Sequence, residues 1–191
     1  KRILTNTYMQ NKLIDRIAHQ KKIPIIGKGT QIDINKKFER LIKENYRIVE
    51  ITLRSEDALE AALDLKEKNP NISIGLGSIK SLSELEKVSK LGFEFYVSPG
   101  INSKMMEYAK TNTINYIPGV STPSEIMTAI ESNYNLLKFF HAEQNGGFKT
   151  IKFFNEIFIN VKFIPTGGIN NDNYNDYIKA ENVIAVGSTS F

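Results

Sequence analysis

The sequence contains no cysteine and only two histidines, His19 and His141. Without cysteine the chain can form neither a disulfide nor a thiolate metal site, and it has no thiol nucleophile. Two histidines are too few for a histidine-rich metal centre. The sequence therefore predicts no metal site, and any nucleophile must come from another residue type.

Long apolar runs are also absent. No run approaches the ~20 residues that a membrane-spanning helix needs, and the basic stretch 1–22 has no apolar core of a signal peptide. We therefore expect a cytoplasmic protein without a membrane partner. The formal net charge is +4, but the lysines are spread along the chain. This favours a solvated surface over a nucleic-acid interface, and a positive field could also attract an anionic substrate.

Short apolar runs alternate with amphipathic stretches along all 191 residues. Strict alternation predicts a parallel sheet, and eight repeats predict one closed (β/α)8 domain, a TIM barrel, over residues 1–191. A helix over 7–20 precedes the first strand. No helix follows the eighth strand, so we expect the natural chain to continue. The predicted strands are 23–26, 48–54, 72–79, 93–98, 115–120, 136–140, 162–166 and 183–186.

A lysine interrupts the apolar run Leu136–Phe140, which is typical of a buried strand. If Leu137 and Phe139 pack outside the barrel, Lys138 points inside. Burial disfavours the charged form of an amine, and a neutral amine can attack a ketone to form a Schiff base. The alternative is a lysine at the strand edge with a packed stem and a solvated head group.

The second predicted strand has one apolar and one polar face. Glu50, Thr52 and Arg54 share the face that must point into the barrel. A buried carboxylate and a buried guanidinium must be paired or functional, so a structural Glu–Arg pair is one interpretation. The other is that Glu50 and Arg54 meet Lys138 in one cavity, where the glutamate could move protons.

Glycine-containing turns follow the other predicted strands. Gly167 and Gly168 come after the seventh strand, and Gly187, Ser188 and Thr189 come after the eighth. Backbone N–H groups after these two strands form a phosphate cradle in many such barrels. The alternative is that Gly167–Gly168 is only a tight turn.

Seven motifs run in register over residues 23–191. They are V-E-I-T-L-R (49–54), G-L-G-S (75–78), V-S-P-G (97–100), I-P-G-V-S-T (117–122), K-F-F-H-A-E (138–143), N-G-G (145–147) and P-T-G-G-I (165–169). With these motifs the chain resembles the class I aldolases of the 2-keto-3-deoxy-6-phosphogluconate (KDPG) / 4-hydroxy-2-oxoglutarate (KHG) aldolase family.

The resemblance implies a role for each site residue. Lys138 would form the Schiff base, and Glu50 would be the general acid/base. Arg54 would hold the pyruvate carboxylate, supported by Ser78, where the family usually has threonine. The pocket wall and the distal substrate contacts would come from Phe140, Thr166, Gly167, Gly168, Gly187, Ser188 and Thr189.

The resemblance also implies a homotrimer that needs no metal or cofactor and cleaves a small, phosphorylated 2-keto acid, KDPG, to pyruvate and glyceraldehyde 3-phosphate. KHG and the galactonate epimer remain alternative substrates. A phosphate-binding barrel that is not an aldolase, such as a thiamine-phosphate-synthase-like enzyme or a sugar-phosphate binder, is a further alternative. Two features depart from the family: His141 replaces the usual proline, and the segment 27–32 differs.

Overall fold

The computed structural model describes residues 12–191. A helix over residues 12–20, α1, precedes the first strand and confirms that part of the predicted N-terminal helix, while 7–11 lie outside the described residues. The strands are β1 (Lys22–Ile26), β2 (Ile48–Thr52), β3 (Ser73–Gly77), β4 (Phe95–Val97), β5 (Tyr116–Ile117), β6 (Gly119–Val120), β7 (Leu136–Phe140), β8 (Lys162–Thr166) and β9 (Val186–Ser188).

Helices alternate with these strands, as the sequence pattern predicts. They are α2 (Gln31–Lys43), α3 (Ala58–Lys68), α4 (Leu82–Val88), α5 (Ser103–Thr111), α6 (Pro123–Glu131), α7 (Gly147–Ile157) and α8 (Tyr174–Ile178), with short 3-10 turns at Ser89–Leu91 and Glu143–Asn145. None of the helices in this part of the chain combines the length and apolar character needed to cross a bilayer.

All strand pairs are parallel, in the order β5-β4-β3-β2-β1-β9-β8-β7-β6. The two end strands, β5 and β6, are halves of one barrel strand that is interrupted at Pro118. Proline has no N–H to give to the ladder, whereas its carbonyl accepts a hydrogen bond from the Lys138 N–H at 3.0 Å. The eight-stranded barrel is thus confirmed, with its fifth strand split.

The eighth barrel strand lies further along the chain than the sequence predicts. The sequence predicts a strand over 183–186, but the ladder with β1 begins at Val186 and includes Gly187 and Ser188. Val183 forms only an isolated bridge to Phe163. Val183 and Ala185 are both buried. The apolar residues before β9 therefore fill the core and are not part of the strand.

The alternation of side chains along the strands separates two apolar layers. Val49, Ile51, Leu137 and Phe139 pack outward in the core that lies under the helices. Inside the barrel, apolar residues fill the N-terminal end, where α1 closes the bottom. This inner cluster consists of Leu13, Ile17, Ile23, Ile48, Phe95, Val97, Ile117, Ile164 and Ala185. Buried polar residues, among them Glu50, Lys138 and Thr166, lie above this cluster toward the C-terminal end of the strands, while the buried Ser73 at the start of β3 accepts a hydrogen bond from Arg16.

Candidate active site

A lysine and a glutamate face each other inside the barrel. Lys138 on β7 and Glu50 on β2 are 6% and 4% exposed, and Lys138 Nζ lies 3.4 Å from Glu50 Oε1. Among the described residues Glu50 forms its ion pair with Lys138 and not with Arg54. The geometry places a proton-transfer group next to an amine that is shielded from solvent.

Two glycines on β3 make room for side chains inside the barrel, and one of them makes room for this pair. A Cβ at Gly77 would lie 1.9 Å from Glu50 Oε1, and a Cβ at Gly75 would lie 2.2 Å from the ring of Phe95. Glu50 can therefore lean across the neighbouring strand toward Lys138 because Gly77 has no side chain. The motif G-L-G-S thus has a steric purpose that is separate from any contact with a ligand.

Arg54 and Ser78 lie at the mouth of the barrel, just after their strands. The exposed Arg54 side chain donates from Nε to Thr52 Oγ1 at 3.1 Å. Ser78 adopts φ 65°, in the left-handed region that residues other than glycine rarely occupy. Both residues line the cavity onto which Lys138 opens. A guanidinium fork and a hydroxyl at this position could hold a carboxylate.

The cavity has a volume of about 370 Å³ and contains most of the residues predicted from the sequence. Those that line it are Arg54, Ser78, Lys138, Phe140, Thr166, Gly167, Gly168, Ser188 and Thr189. Glu50 lies behind Lys138. Gly187 is paired with Thr166 in the ladder, where a Cβ would lie 2.5 Å from Thr166 Oγ1, so its contribution is close strand packing.

Other residues line the cavity that the sequence did not single out as substrate contacts. Pro99, His141, Ile169, Asn170 and Ser190 all contribute to its wall. Pro99, Ile169, Asn170 and Ser190 lie within or directly beside glycine-containing turns, and His141 lies in the motif that carries Lys138, so adjacency to these motifs is the signal that the sequence offers. The segment 27–32 has a structural role, because Thr30 and Asp33 form the capping box of α2.

The turns after β7 and β8 are bonded to each other. The Ala142 N–H donates to Thr166 O at 2.8 Å, and the Glu143 N–H donates to Gly167 O at 3.1 Å. The Tyr177 hydroxyl donates to Glu143 Oε1, and burial together with this carboxylate raises the pKa of Tyr177. The turn at Gly167–Gly168 is therefore anchored from the outside, while its inner face borders the cavity.

Glycine is required at both positions of this turn. Gly167 and Gly168 have φ 99° and 78°, values at which an L side chain is strained. A Cβ at Gly167 would also lie 2.6 Å from the His141 ring, and one at Gly168 would lie 2.5 Å from Glu143 Cγ. The backbone can thus approach a ligand closely here, as an anion cradle requires.

A closed parallel barrel with a buried amine and carboxylate at the C-terminal ends of its strands is the arrangement of an enzyme that reacts with carbonyl compounds. Comparisons with known proteins narrow this class. The sequence profile of the "KDPG and KHG aldolase" family matches residues 13–191. The chain therefore belongs to the KDPG and KHG aldolase family, and it is an aldolase.

Individual relatives agree with this assignment. The KHG/KDPG aldolase of Escherichia coli (strain K12) is 36% identical over 149 residues, which cover 78% of this chain and 70% of that protein. A crystal structure of KDPG aldolase from Legionella pneumophila, with pyruvate captured as a covalent carbinolamine intermediate, is 33% identical with a TM-score of 0.87, covering 91% of this chain and 84% of that one.

A second structural relative carries a phosphorylated ligand. The KDPG aldolase of Zymomonas mobilis ZM4, solved with 3-phosphoglycerate, is 29% identical with a TM-score of 0.87. The similarity covers 92% of this chain and 84% of the Zymomonas chain.

Proposed function

We propose that the protein is a class I aldolase that cleaves KDPG to pyruvate and glyceraldehyde 3-phosphate through a Schiff base on Lys138. The observation that carries the proposal is the 3.4 Å separation of Lys138 Nζ and Glu50 Oε1 in a solvent-shielded pair beside the cavity. The covalent carbinolamine named for the Legionella relative supports the same chemistry.

In the first half of the reaction, the Lys138 ammonium gives a proton to the Glu50 carboxylate, and the resulting amine attacks the keto carbon of the substrate. Glu50 transfers protons to the resulting hydroxyl, so that water leaves and a protonated imine forms. Loss of the proton from the C4 hydroxyl then breaks the C3–C4 bond, whose electron pair moves toward the imine nitrogen. The products of this step are the aldehyde and an enamine on Lys138.

In the second half, a proton adds to C3 of the enamine and water attacks the imine carbon. The carbon–nitrogen bond breaks, which releases pyruvate and restores the Lys138 amine. Glu50 serves as the proton carrier in both directions, since each step moves one proton within reach of its carboxylate. No electron acceptor is required, because the imine itself takes up the electron pair.

The two ends of the cavity divide the anionic groups of KDPG between them. Arg54 and Ser78 hold the carboxylate next to the keto group, and Phe140 forms a wall beside Lys138, whose Nζ lies 5.2 Å from the ring centroid. Thr166, Gly167, Gly168, Gly187, Ser188 and Thr189 form or support the cradle for the distal phosphate. The 3-phosphoglycerate in the Zymomonas relative supports this assignment.

We also propose that the enzyme acts as a homotrimer in the cytoplasm and uses no metal or cofactor. The helices α6 and α7, which precede and follow β7, expose Met127, Ile130, Phe153 and Ile157. Exposed apolar side chains on neighbouring helices are typical of a surface that another protein chain covers. Light scattering coupled to size-exclusion chromatography tests the subunit number.

The chemical proposal is tested by trapping. Incubation with pyruvate and sodium borohydride should attach one pyruvate-derived group, which peptide mapping should place on Lys138. Lys138→Ala should lose the adduct, whereas Lys162→Ala should keep it, because Lys162 is a strand lysine whose exposed amine donates to Glu181 O. An unchanged adduct in Lys138→Ala would remove Lys138 from the mechanism.

Glu50 is tested by separating chemistry from binding. Glu50→Gln keeps the shape of the side chain but cannot carry a proton. A general acid/base typically accelerates a reaction by ~10²–10⁴-fold. We therefore expect kcat for KDPG to fall by about that factor while pyruvate inhibition changes little. A loss of turnover below about threefold would show that Glu50 is not the proton carrier.

A further inference from the structure

A lysine outside the cavity holds one of the two turns of the cradle. Lys37, on α2, donates from Nζ to the carbonyl oxygen of Thr189 at 2.8 Å and to that of Ile25 at 3.3 Å. It thereby ties the turn after β9 to the end of β1. Arg40, one helical turn further along, donates to the carbonyl of Phe191 at 2.5 Å.

The contact at Thr189 continues as a chain of hydrogen bonds across the cradle. The Thr189 carbonyl and the Ser190 N–H belong to the same peptide unit, so that fixing one orients the other. The Ser190 N–H donates to Ser188 Oγ at 3.0 Å, and the Ser188 hydroxyl donates to the carbonyl of Ile169. Ile169 directly follows Gly167–Gly168, so the chain links the turn after β9 with the turn after β8.

Lys37 differs from its neighbour Lys36 in burial and contacts. Lys37 is half-buried, whereas Lys36 is exposed. Burial, and then the charge of Arg40, lowers the pKa of Lys37. Keeping an amine in this position has a desolvation penalty, and its two carbonyl partners compensate for it. Such an arrangement is typical of a side chain that fixes a backbone segment rather than one that only carries surface charge.

We propose that Lys37 is a positioning residue of the distal anion subsite: by holding the Thr189–Ser190 peptide unit, it sets the separation of the two cradle turns and hence the affinity for the substrate phosphate. The proposal rests on the phosphate role given above to these turns. Lys37 does not line the cavity, so it acts through the backbone and not by touching the substrate.

The test measures phosphate affinity without relying on turnover. The probe is 3-phosphoglycerate, and its Kd is measured by isothermal titration calorimetry for the wild type, Lys37→Met and Lys36→Met. Losing a charge-assisted hydrogen bond that orients the cradle should raise the Kd of Lys37→Met about tenfold. Lys36→Met removes the same formal charge from the same helix and should change the Kd less than about twofold.

Two further readouts distinguish positioning from a general structural effect. The KM for KDPG should rise about tenfold in Lys37→Met, whereas the inhibition constant of pyruvate, which has no distal anionic group, should change less than about twofold. Pyruvate trapping on Lys138 should stay at the wild-type yield. Equal losses of affinity for KDPG and for pyruvate, or equal effects of Lys36→Met and Lys37→Met, would overturn the proposal.

Other variants in the same series of hydrogen bonds keep the proposal testable if Lys37→Met folds poorly. Lys37→Arg retains a charged donor and should recover 3-phosphoglycerate binding to within about threefold of the wild type. Ser188→Ala removes the middle of this series of hydrogen bonds. The double variant Lys37→Met/Ser188→Ala should therefore bind 3-phosphoglycerate no more weakly than the weaker-binding single variant. Fully additive losses would show that the two residues act separately, contrary to the proposal.

Failure of the inference and failure of the proposed function give different results. If the wild type traps pyruvate on Lys138 but Lys37→Met binds 3-phosphoglycerate normally, the aldolase mechanism stands and the role of Lys37 is wrong. If the wild type traps no pyruvate but Lys37→Met still weakens 3-phosphoglycerate binding, the anion subsite stands and the mechanism is wrong. A wild type that does not bind 3-phosphoglycerate would overturn the role of Lys37.

Discussion

Substitution of Gly77 by alanine should disable the enzyme although it replaces none of the proposed catalytic residues. Gly77 lies at the end of β3, and a Cβ at this position would lie 1.9 Å from Glu50 Oε1 and 2.6 Å from Glu50 Cδ. Ordinary contact begins near 3.4 Å. The carboxylate oxygen must therefore retreat by about 1.5 Å, the difference between the two distances.

A retreat of this size would alter the geometry on which the chemistry depends. Lys138 Nζ and Glu50 Oε1 are already 3.4 Å apart, so a further displacement takes the carboxylate out of direct proton-transfer range. Displacement by ~1 Å can cost about 10²-fold in rate, and we expect a loss of kcat of at least that order. Overpacking should also lower the free energy of unfolding by ~1–3 kcal/mol.

The assay is steady-state cleavage of KDPG, with the released pyruvate measured at a temperature where circular dichroism shows the variant folded. Gly100→Ala is the matched control, because a Cβ at Gly100 would meet nothing within 4 Å. Its kcat should stay within about twofold of the wild type. Normal turnover by a folded Gly77→Ala variant would contradict the proposed use of Glu50.

A double variant gives a further check on the reasoning. If Gly77→Ala acts through the glutamate, adding it to Glu50→Gln should slow the enzyme little beyond Glu50→Gln alone. If kcat of the double variant falls by the product of the two single factors, Gly77 affects catalysis by another route, such as the shape of the cavity at Ser78.

Two other predictions concern stability. Burial raises the pKa of Tyr116 to about 12, although the Ser98 hydroxyl opposes the shift. The pKa in the folded state therefore exceeds the unfolded value of about 10. The contribution of Tyr116 to the free energy of unfolding is complete below pH 10 and is lost between about pH 10 and 12. Urea midpoints should therefore fall over that range in the wild type and less steeply in Tyr116→Phe, and equal slopes would refute the assignment. Burial raises the pKa of Glu125, but hydrogen bonds from Ser121 and Thr122 outweigh this effect and hold the pKa below its usual value. The contribution of Glu125 to the free energy of unfolding is therefore present above about pH 4 and is lost as the pH falls through the pKa of the folded state. Thr122→Ala removes the N-cap of α6 and should cost ~1 kcal/mol in urea unfolding at neutral pH; a deficit that does not shrink near pH 3 would count against the Glu125 contribution.

The meeting of Lys138 and Glu50 could be predicted from the sequence because two simple rules determine it. Side chains alternate along a strand, and a closed barrel has only one interior. Once Leu137, Phe139, Val49 and Ile51 are assigned to the outer layer, Lys138 and its partner must face inward. The structural Glu–Arg pair, which the same pattern allowed, is excluded by the Lys138–Glu50 contact.

Other features depend on contacts that no local pattern encodes. The sequence pattern predicts an unbroken strand over 115–120, whereas the missing N–H of Pro118 divides it into β5 and β6. The position of β9 could not be predicted, since an apolar run looks the same whether it forms a ladder or fills the core. The contact between Lys37 and the Thr189 carbonyl joins residues 152 positions apart. A lysine on an amphipathic helix gives no sign of such a partner until the barrel has closed.

His141 is an unusual residue whose packing the structure defines. It lies in the cavity wall at a position where the sequence departs from the family's usual proline, and it could either be neutral there or alter the contacts around the substrate. Its ring occupies the space that a side chain at Gly167 would need, since a Cβ there would lie 2.6 Å from the ring. The ring centroid lies 5.2 Å from that of Phe140. Its Nδ1 is buried and makes no hydrogen bond to the described residues. The imidazole therefore packs against Gly167 in the wall of the cavity.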